Sequence, residues 1–333
     1  MQLSLFDYHL PKELIAQEPA KPRSSSRLMV VKGKSIEHKK FTDVLSYLKK
    51  GDVLVLNETR VEPVKLVGKK ETGSPVEMII SKKISTRMFE CQIKTNKVKM
   101  GTKFLFNKGL EAKVLSGEDG LFTVMFNKDD VDLILDDVGQ MPLPPYIKRP
   151  TTKEEYQTVY AKKSGSIAAP TAGFHFTPEL LEKIEKIGVE VVKVLLHVSY
   201  GTFLPVKTEN VEEHKMHEEW YEVTEEAAEI INERKGRLVV VGTTSLRTLE
   251  SASDERGVVH AKSGMTSLYC YPGYKFKLKP DMMITNFHLP KSTLIMLIAA
   301  LIGLDNVKNA YAIAVNEKYR FYSFGDAMLL FTE

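Results

Sequence analysis

The chain has 333 residues, 43% of them apolar and 27% charged, a balance that argues against disorder and allows roughly two domains with sizeable cores. Two distant cysteines, Cys91 and Cys270, suggest neither a disulfide framework nor a thiolate metal site and fit a reducing, cytoplasmic setting. The formal charge of +4 is too small to imply a nucleic-acid partner by itself, and the longest apolar run, 294–304, is too short to span a bilayer.

The first thirty residues read as an irregular arm, rich in proline and serine, that feeds an apolar strand at 28–31. No basic region followed by an apolar core, the mark of a secretory signal, stands at the start. A short helix is expected over 41–49, ended by Gly51, and a buried strand over 52–56. Asn57-Glu58-Thr59-Arg60 follows that strand's end, where open α/β sheets bind ligands; plain loop is the competing reading.

From 62 to 137 helical periodicity gives way to β-rich segments at 76–80, 88–93, 103–106, 110–115 and 121–126, with glycines in the gaps. That spacing predicts a small all-β barrel or sandwich inserted between two halves of a larger domain. Its charge is lopsided: 62–115 carries 12 Lys+Arg against 5 Glu, a net +7, whereas 211–233 carries 9 Glu against one Lys, a net −8. The proline-rich 141–150 is read as an extended hinge returning the chain to the first domain, with Tyr146, Lys148 and Arg149 available to contacts. A short helix is expected at 154–162.

The stretch 164–177, Ser-Gly-Ser-Ile-Ala-Ala-Pro-Thr-Ala-Gly-Phe-His-Phe-Thr, is open to two readings. It is either a small-residue turn or a cradle in which Gly165, Ala168, Ala169, Ala172 and Gly173 let backbone approach a ligand. Thr177 as cap, Pro178 at the first position and Gly188 as terminator then mark a helix with Leu180, Leu181, Ile184 and Ile187 on one face. This puts His175 beside a helix N-terminus, where the dipole disfavours its protonated form. A strand at 189–198, a helix from Thr224 to Gly236 and a strand at 238–242 follow. The turn Thr243-Thr244-Ser245 with Arg247 suits a phosphate or nucleotide, although helix capping also explains the hydroxyls. No Walker lysine or three-glycine fingerprint accompanies it. A strand end at 284–290, helices at 292–301 and 305–318, and a strand at 327–331 complete an α/β pattern.

Five histidines, His175, His197, His214, His217 and His288, fall at strand ends, helix starts or polar loops. His214-x-x-His217 beside Glu218 is a weak metal signal, because neither His-Glu-x-x-His nor a cysteine pair is present. A Ser/His/Asp hydrolase lacks its Gly-x-Ser-x-Gly elbow. What remains is metal-free acid–base chemistry on a polar, partly anionic or nucleotide-like substrate.

The runs at 57–60, 141–147, 156–161, 168–177, 197–203, 241–250, 285–290 and 319–328 together resemble the S-adenosylmethionine:tRNA ribosyltransferase-isomerases, in motif order and over essentially the whole length. Departures are slight: Phe174, Ser199-Tyr200 and Leu246 stand where Leu, Gly and Val are frequent, and Tyr200 is expected to narrow the cleft beside His197. The resemblance implies an α/β catalytic domain from 1–61 and 146–333, with a mixed sheet, and an inserted β-barrel at 62–145. It also implies transfer and isomerisation of the ribosyl part of S-adenosylmethionine onto 7-aminomethyl-7-deazaguanine at the tRNA wobble position, releasing adenine and methionine. S-adenosylmethionine is then a consumed substrate, with no cofactor and no membrane partner, and the enzyme is expected to be a monomer. Under this reading His175, His197, His288 and Asp326 are the catalytic candidates. Asn57, Thr59, Arg60, Thr171, Gly173, His214, His217, Thr243, Thr244, Ser245, Arg247, Asn286, Arg320 and Tyr322 bind substrate, the Thr243–Arg247 turn taking the nucleoside or the methionine carboxylate. Lys82, Lys83, Lys97, Lys99, Lys148 and Arg149 contact tRNA phosphates. Another S-adenosylmethionine-dependent RNA-modifying enzyme, such as a methyltransferase, and a non-catalytic RNA-binding protein are the alternatives.

Overall fold

The computed structural model describes residues 1–118, 120–199, 201 and 206–332, with the side chain of residue 132 excepted. Tyr200 and its expected effect on the cleft lie outside the described residues. In chain order the first strands are β1 (Arg27–Lys32), β2 (Ser35–Lys40), β3 (Val53–Asn57) and β4 (Thr59–Val61). Next come β5 (Lys65–Lys70), β6 (Pro75–Lys83), β7 (Met88–Lys94), β8 (Lys103–Leu105), β9 (Glu111–Glu118), β10 (Leu121–Phe126) and helix α1 (Val131–Val138). β11 (Lys163–Ser166), α2 (Pro178–Lys186), β12 (Glu190–Leu196), β13 (Glu219–Val223), α3 (Glu225–Glu233), β14 (Leu238–Val241) and α4 (Gly242–Ala252) follow. β15 (Lys262–Thr266), β16 (Met282–Asn286), α5 (Thr293–Ile302), α6 (Leu304–Asn316) and β17 (Ala327–Phe331) end the chain.

The chain divides into two compact units. One comprises 1–60, 145–150 and 157–333; the other comprises 61–144 and 151–156. The first is built on a nine-stranded mixed sheet in the order β15-β13-β12-β3-β14-β16-β17-β1-β2. β12, β3, β14 and β16 run parallel, and β17 is antiparallel to β16 and parallel to β1. The central strands are apolar on both sides because both faces are covered. On one face Val53, Val55, Val240 and Met283 join the core under α3 to α6; on the other Leu54, Leu56, Val239 and Ile284 pack with Phe41, Phe176 and α2. β11 and β4 form a separate two-stranded ribbon.

The second unit is a closed six-stranded barrel, β10-β7-β6-β5-β8-β9. Five of its strands coincide with the segments expected from the sequence. β5 was not expected: of its Lys-Leu-Val-Gly-Lys-Lys only Leu66 is buried, so no alternation announces it. A Cβ on Gly68 would lie 2.3 Å from the carbonyl of Leu105, so the bare glycine allows the strand β8 to approach. α1 was likewise unforeseen.

The caps expected at Thr177 and Thr224 form, and Ser292 caps a third helix. Thr177, Thr224 and Ser292 each accept a hydrogen bond from the backbone three residues on, starting α2, α3 and α5. Ile187, expected on the buried face of α2, instead lies past its end and is 40% exposed. The segment 41–49 is a 3-10 helix, Phe41–Tyr47. The helix expected at 154–162 is replaced by turns. The carbonyl of Gln157 accepts from Arg23 at 2.6 Å, and the amide of Lys162 donates to Glu58 at 2.8 Å, so these backbone groups are spent on other segments. Among the described residues no single helix is long and apolar enough to cross a membrane.

Candidate active site

Parallel strands deliver their carboxyl ends to one edge of the sheet, the usual ligand edge of an α/β protein. Here that edge collects Asn57 from β3, His197 after β12, the start of α4 after β14, and Asn286 with His288 at and beyond β16. β17 begins where β16 ends, Ala327 opposite Asn286, and β1 begins beside it, Leu28 opposite Ala327. Ser26, Arg320, Tyr322 and Asp326 thereby join the same edge.

His175 closes a 3-10 turn, Thr171–His175, and is 3% exposed. Its ring stacks on Phe41 with centroids 4.9 Å apart. Nδ1 lies 2.8 Å from Ser26 Oγ, and Nε2 lies 3.3 Å from Asn286 Nδ2. The same Asn286 nitrogen donates to the Tyr322 carbonyl at 3.0 Å, and the Asn286 oxygen accepts from Thr171 at 3.4 Å. A carbonyl only accepts, so the Asn286 amide orientation is fixed and Nε2 must be an acceptor. The proton then sits on Nδ1 and is donated to Ser26. The imidazole is pushed down to about 3, first by burial and then by the cations of Arg320 and Arg23. The expected helix dipole is not needed to explain its neutrality.

Asp326 is 1% exposed and saturated with donors: the amide of Arg27 at 3.0 Å, the amide of Arg320 at 2.8 Å, and the Arg320 guanidinium at 3.1 and 3.3 Å. In this arrangement it holds Arg320 and the loop before β17. Tyr322, at φ +71°, contributes its carbonyl to Asn286 and sets its ring 4.6 Å from that of Tyr146, tilted by 50°.

His197 forms a second cluster. Its Nδ1 lies 2.8 Å from Thr59 Oγ1, and its ring stacks on Trp220, centroids 5.4 Å apart. Burial and the Lys163 cation lower its pKa against an opposing pull from Glu222. Asn57 donates to Leu196 O and accepts from the amides of Leu196 and Thr59, so it ties β3 to β12 and orients Thr59. His288 sits apart from both: Nε2 lies 2.8 Å from Thr285 Oγ1, its amide donates to Tyr311 at 2.9 Å, and its carbonyl accepts from Tyr8. Burial pushes it to about 3. Beside it Tyr8 and Tyr311 line a mostly apolar cavity of about 350 Å³ between 5–9 and α5 and α6.

Glycine at 173 and 165 serves this chain's own side chains. A Cβ on Gly173 would lie 2.0 Å from the Tyr160 hydroxyl, and one on Gly165 2.8 Å from His197 Nε2. At these two positions the backbone is closely approached by Tyr160 and His197. At α4 no hydroxyl caps the helix: Ser245 donates back to Val241 O at 2.7 Å, and Thr243 is buried beside it. Arg247 pairs with Glu219.

Other expected residues are not drawn in. Arg60 is exposed. His214 meets Tyr269 edge-on and His217 is exposed, and no group of three or more His, Cys, Asp or Glu among the described residues is placed to hold a metal. Lys148 and Arg149 are bound to Gln17 through the Lys148 amide at 2.8 Å and Arg149 Nε at 2.8 Å. Lys82, Lys83, Lys97 and Lys99 are exposed on the barrel. Ser26, Phe41, Arg23, Glu219 and Trp220 escaped the sequence reading; a serine closing a polar arm before a strand was the only hint at Ser26.

Similar proteins bring this geometry into a family. The family described as queuosine biosynthesis protein matches residues 3–330. An S-adenosylmethionine:tRNA ribosyltransferase-isomerase of Thermoanaerobacter sp. (strain X514) is 53% identical over 341 aligned positions, covering 99% of this chain and 100% of the relative. One of Caldanaerobacter subterraneus subsp. tengcongensis is 51% identical with the same coverage. The crystal structure of S-adenosylmethionine tRNA ribosyltransferase from Thermotoga maritima shares 38% identity and a TM-score of 0.56, covering 98% of this chain and 100% of that one. A match of this length and identity means that the chain belongs to the S-adenosylmethionine:tRNA ribosyltransferase-isomerase family of queuosine biosynthesis.

Proposed function

We propose that the carboxyl edge of the sheet carries the family's reaction on this chain: the ribosyl part of S-adenosylmethionine is transferred to 7-aminomethyl-7-deazaguanine at the wobble position of tRNA and rearranged to an epoxycyclopentane, with release of adenine and methionine. The observation that carries the site assignment is the buried His175, neutral and fixed in one tautomer between Ser26 and Asn286. The chemistry requires a base for the proton on the carbon beside the sulfonium and an acid for departing adenine. His175 takes the leading acid–base role. Substrate reaches Nε2 by displacing Asn286, whose bond at 3.3 Å is the longer of its two ring contacts. His197 is the second acid–base candidate. His288 and Asp326 hold the surrounding loops, and Thr171, Tyr322 and Arg320 line the pocket.

In this reading 1–61 and 146–333 form the catalytic domain, acting as a cytoplasmic monomer, and 62–145 presents lysines to tRNA. S-adenosylmethionine is consumed as substrate. Adenine release in a single turnover, with tRNA carrying the aminomethyl base, tests it. Wild type is expected to release one adenine per modified tRNA, and His175→Ala to slow that step by about 100-fold or more. Label from the S-methyl group appearing in tRNA would mark a methyltransferase, and no turnover would leave an RNA-binding protein.

A further inference from the structure

The carboxyl edge of the sheet also carries cations that the acid–base chemistry does not use. Residues 21–40, the end of the arm and the first two strands, hold 7 Lys+Arg against one Glu, a net +6. Arg27 starts β1 directly after Ser26, whose hydroxyl meets His175 at 2.8 Å. Its guanidinium lies 3.6 Å from the centroid of the Tyr319 ring and donates to Glu317 O at 2.7 Å, while its amide donates to Asp326 at 3.0 Å. Tyr319 is fully buried, with its hydroxyl 2.8 Å from His38 Nδ1, so the ring under the guanidinium is fixed. Lys40, at the end of the edge strand β2, stands directly opposite Arg27, and Lys318 follows the residue whose carbonyl Arg27 holds; both are exposed. Among the described residues no carboxylate forms an ion pair with any of these three cations. The nearby acids are engaged elsewhere: Glu37 with Lys39 at 3.2 Å, Asp43 with the Lys40 amide at 3.0 Å, and Asp326 with Arg320 at 3.1 Å. Exposed Glu317 is the remaining opposing charge.

An arginine immobilised beside a reacting group, with no carboxylate to neutralise it, is organised for an anion before the anion arrives. We infer that Arg27, flanked by Lys40 and Lys318, binds the phosphodiester backbone of tRNA at the target nucleotide. The planar guanidinium, backed by the Tyr319 ring, offers a fork that matches two phosphate oxygens, and the two ammonium groups add point charges beside it. S-adenosylmethionine is the wrong ligand for this cluster, because its sulfonium leaves it with a net positive charge that the three cations repel. A polyanion gains from each of them. Position argues the same way. A base reacting at His175 brings its own sugar and phosphate to the adjoining surface, and Arg27 is the residue next to Ser26. The inference rests on reading this edge as the site of the tRNA reaction.

Neutral linkages provide the test. Anticodon stem–loops carrying the aminomethyl base are made with one phosphodiester at a time replaced by a methylphosphonate, and their binding to the full chain is measured for wild type, Arg27→Gln and Arg27→Lys. With wild type, neutralising a linkage that adjoins the target nucleotide is expected to cost about ten-fold in affinity. Arg27→Gln is expected to bind the unmodified loop about ten-fold more weakly and to lose less than about two-fold further at that linkage, because the contact is already gone. Its slope of log affinity against log salt should be shallower by about 0.7, and Arg27→Lys should restore the slope while recovering only part of the affinity. If Arg27→Gln does not fold, Lys40→Gln combined with Lys318→Gln, both at exposed positions, carries the same comparison. Losses that simply add at every linkage overturn the inference, as does coupling confined to a linkage remote from the target. A purely structural arginine lowers the melting temperature and leaves RNA affinity and slope unchanged, and an arginine serving S-adenosylmethionine shows as lost binding of that compound; either result overturns it too. Coupling in binding without adenine release would overturn the family reaction and keep the surface, whereas adenine release without coupling would do the reverse.

Discussion

His175 has both ring nitrogens engaged, and the strengths of the two contacts differ. Ser26 at 2.8 Å holds the protonated side, whereas Asn286 at 3.3 Å is the replaceable partner of the lone pair. Asn286→Asp removes the donor to Nε2 and sets a carboxylate against the Tyr322 carbonyl. The expected outcome is an upward shift of the His175 pKa, seen in the pH dependence of its ring resonances, and adenine release slowed by about 100-fold. An unchanged rate would remove Asn286 from the mechanism. Burial of neutral imidazoles also shapes acid stability. His175 and His288, ordinarily near 6.5, are both pushed down to about 3. Above 6.5 neither state binds the proton and nothing changes. Between 6.5 and about 3 the unfolded chain takes up protons that the folded chain refuses, so stability falls as pH falls, by up to about 1.4 kcal/mol per pH unit for each group. His288→Gln should flatten that slope in urea midpoints measured from pH 7 to 4; an unaltered slope would contradict the neutral buried state.

Strand alternation decides which histidines can work together. Consecutive side chains on β16 point to opposite faces: Met283 packs under α4 to α6, Ile284 with Phe176 and α2. Thr285, the partner of His288, therefore faces away from Asn286, the partner of His175. The two imidazoles, similar in the sequence as members of conspicuous motifs, are anchored on different sides of the sheet. His175→Gln is expected to cost about 100-fold in adenine release and His288→Gln less than about 10-fold, with the latter seen mainly as lost stability. Equal losses would place both at the reacting atoms. At the turn before α2, Gly173→Ala must displace the Tyr160 hydroxyl, 2.0 Å from the added methyl, at a cost of about 1–3 kcal/mol. Continuous apolar runs made β3, β14, β16 and α5 legible, and an apolar stripe behind a capping threonine made α2 and α3 so. β2 is an exposed edge and β5 a lysine-rich strand with a glycine, so neither carries an apolar pattern. The site was legible as motifs and not as a constellation. Ser26 meets His175 across 149 positions, and Glu219 meets Arg247 only because β13 lies beside β12.

The two compact units differ in charge. The barrel unit carries exposed lysines: Lys82, Lys83, Lys97 and Lys99 lie on its surface, while its core is Leu66, Met78, Phe89, Phe104, Val124 and Phe126. The acidic 211–233 belongs to the other unit and supplies β13 and α3, so phosphate-compatible surface is confined along the chain. Reversing the charge of exposed side chains leaves a core undisturbed. Lys82→Glu, Lys83→Glu, Lys97→Glu and Lys99→Glu combined should weaken tRNA binding. If each lysine neutralises one phosphate, the slope of log affinity against log salt should become shallower by about 0.7–0.9 per lost contact. Binding of S-adenosylmethionine and the melting temperature should hold, since His175, Arg247 and their partners all lie in the other unit. Filter binding across a salt series, paired with equilibrium binding of labelled S-adenosylmethionine, separates the cases. Unchanged tRNA affinity and slope would exclude these four lysines from the interface, and loss of both ligands together would report misfolding in place of a lost contact surface.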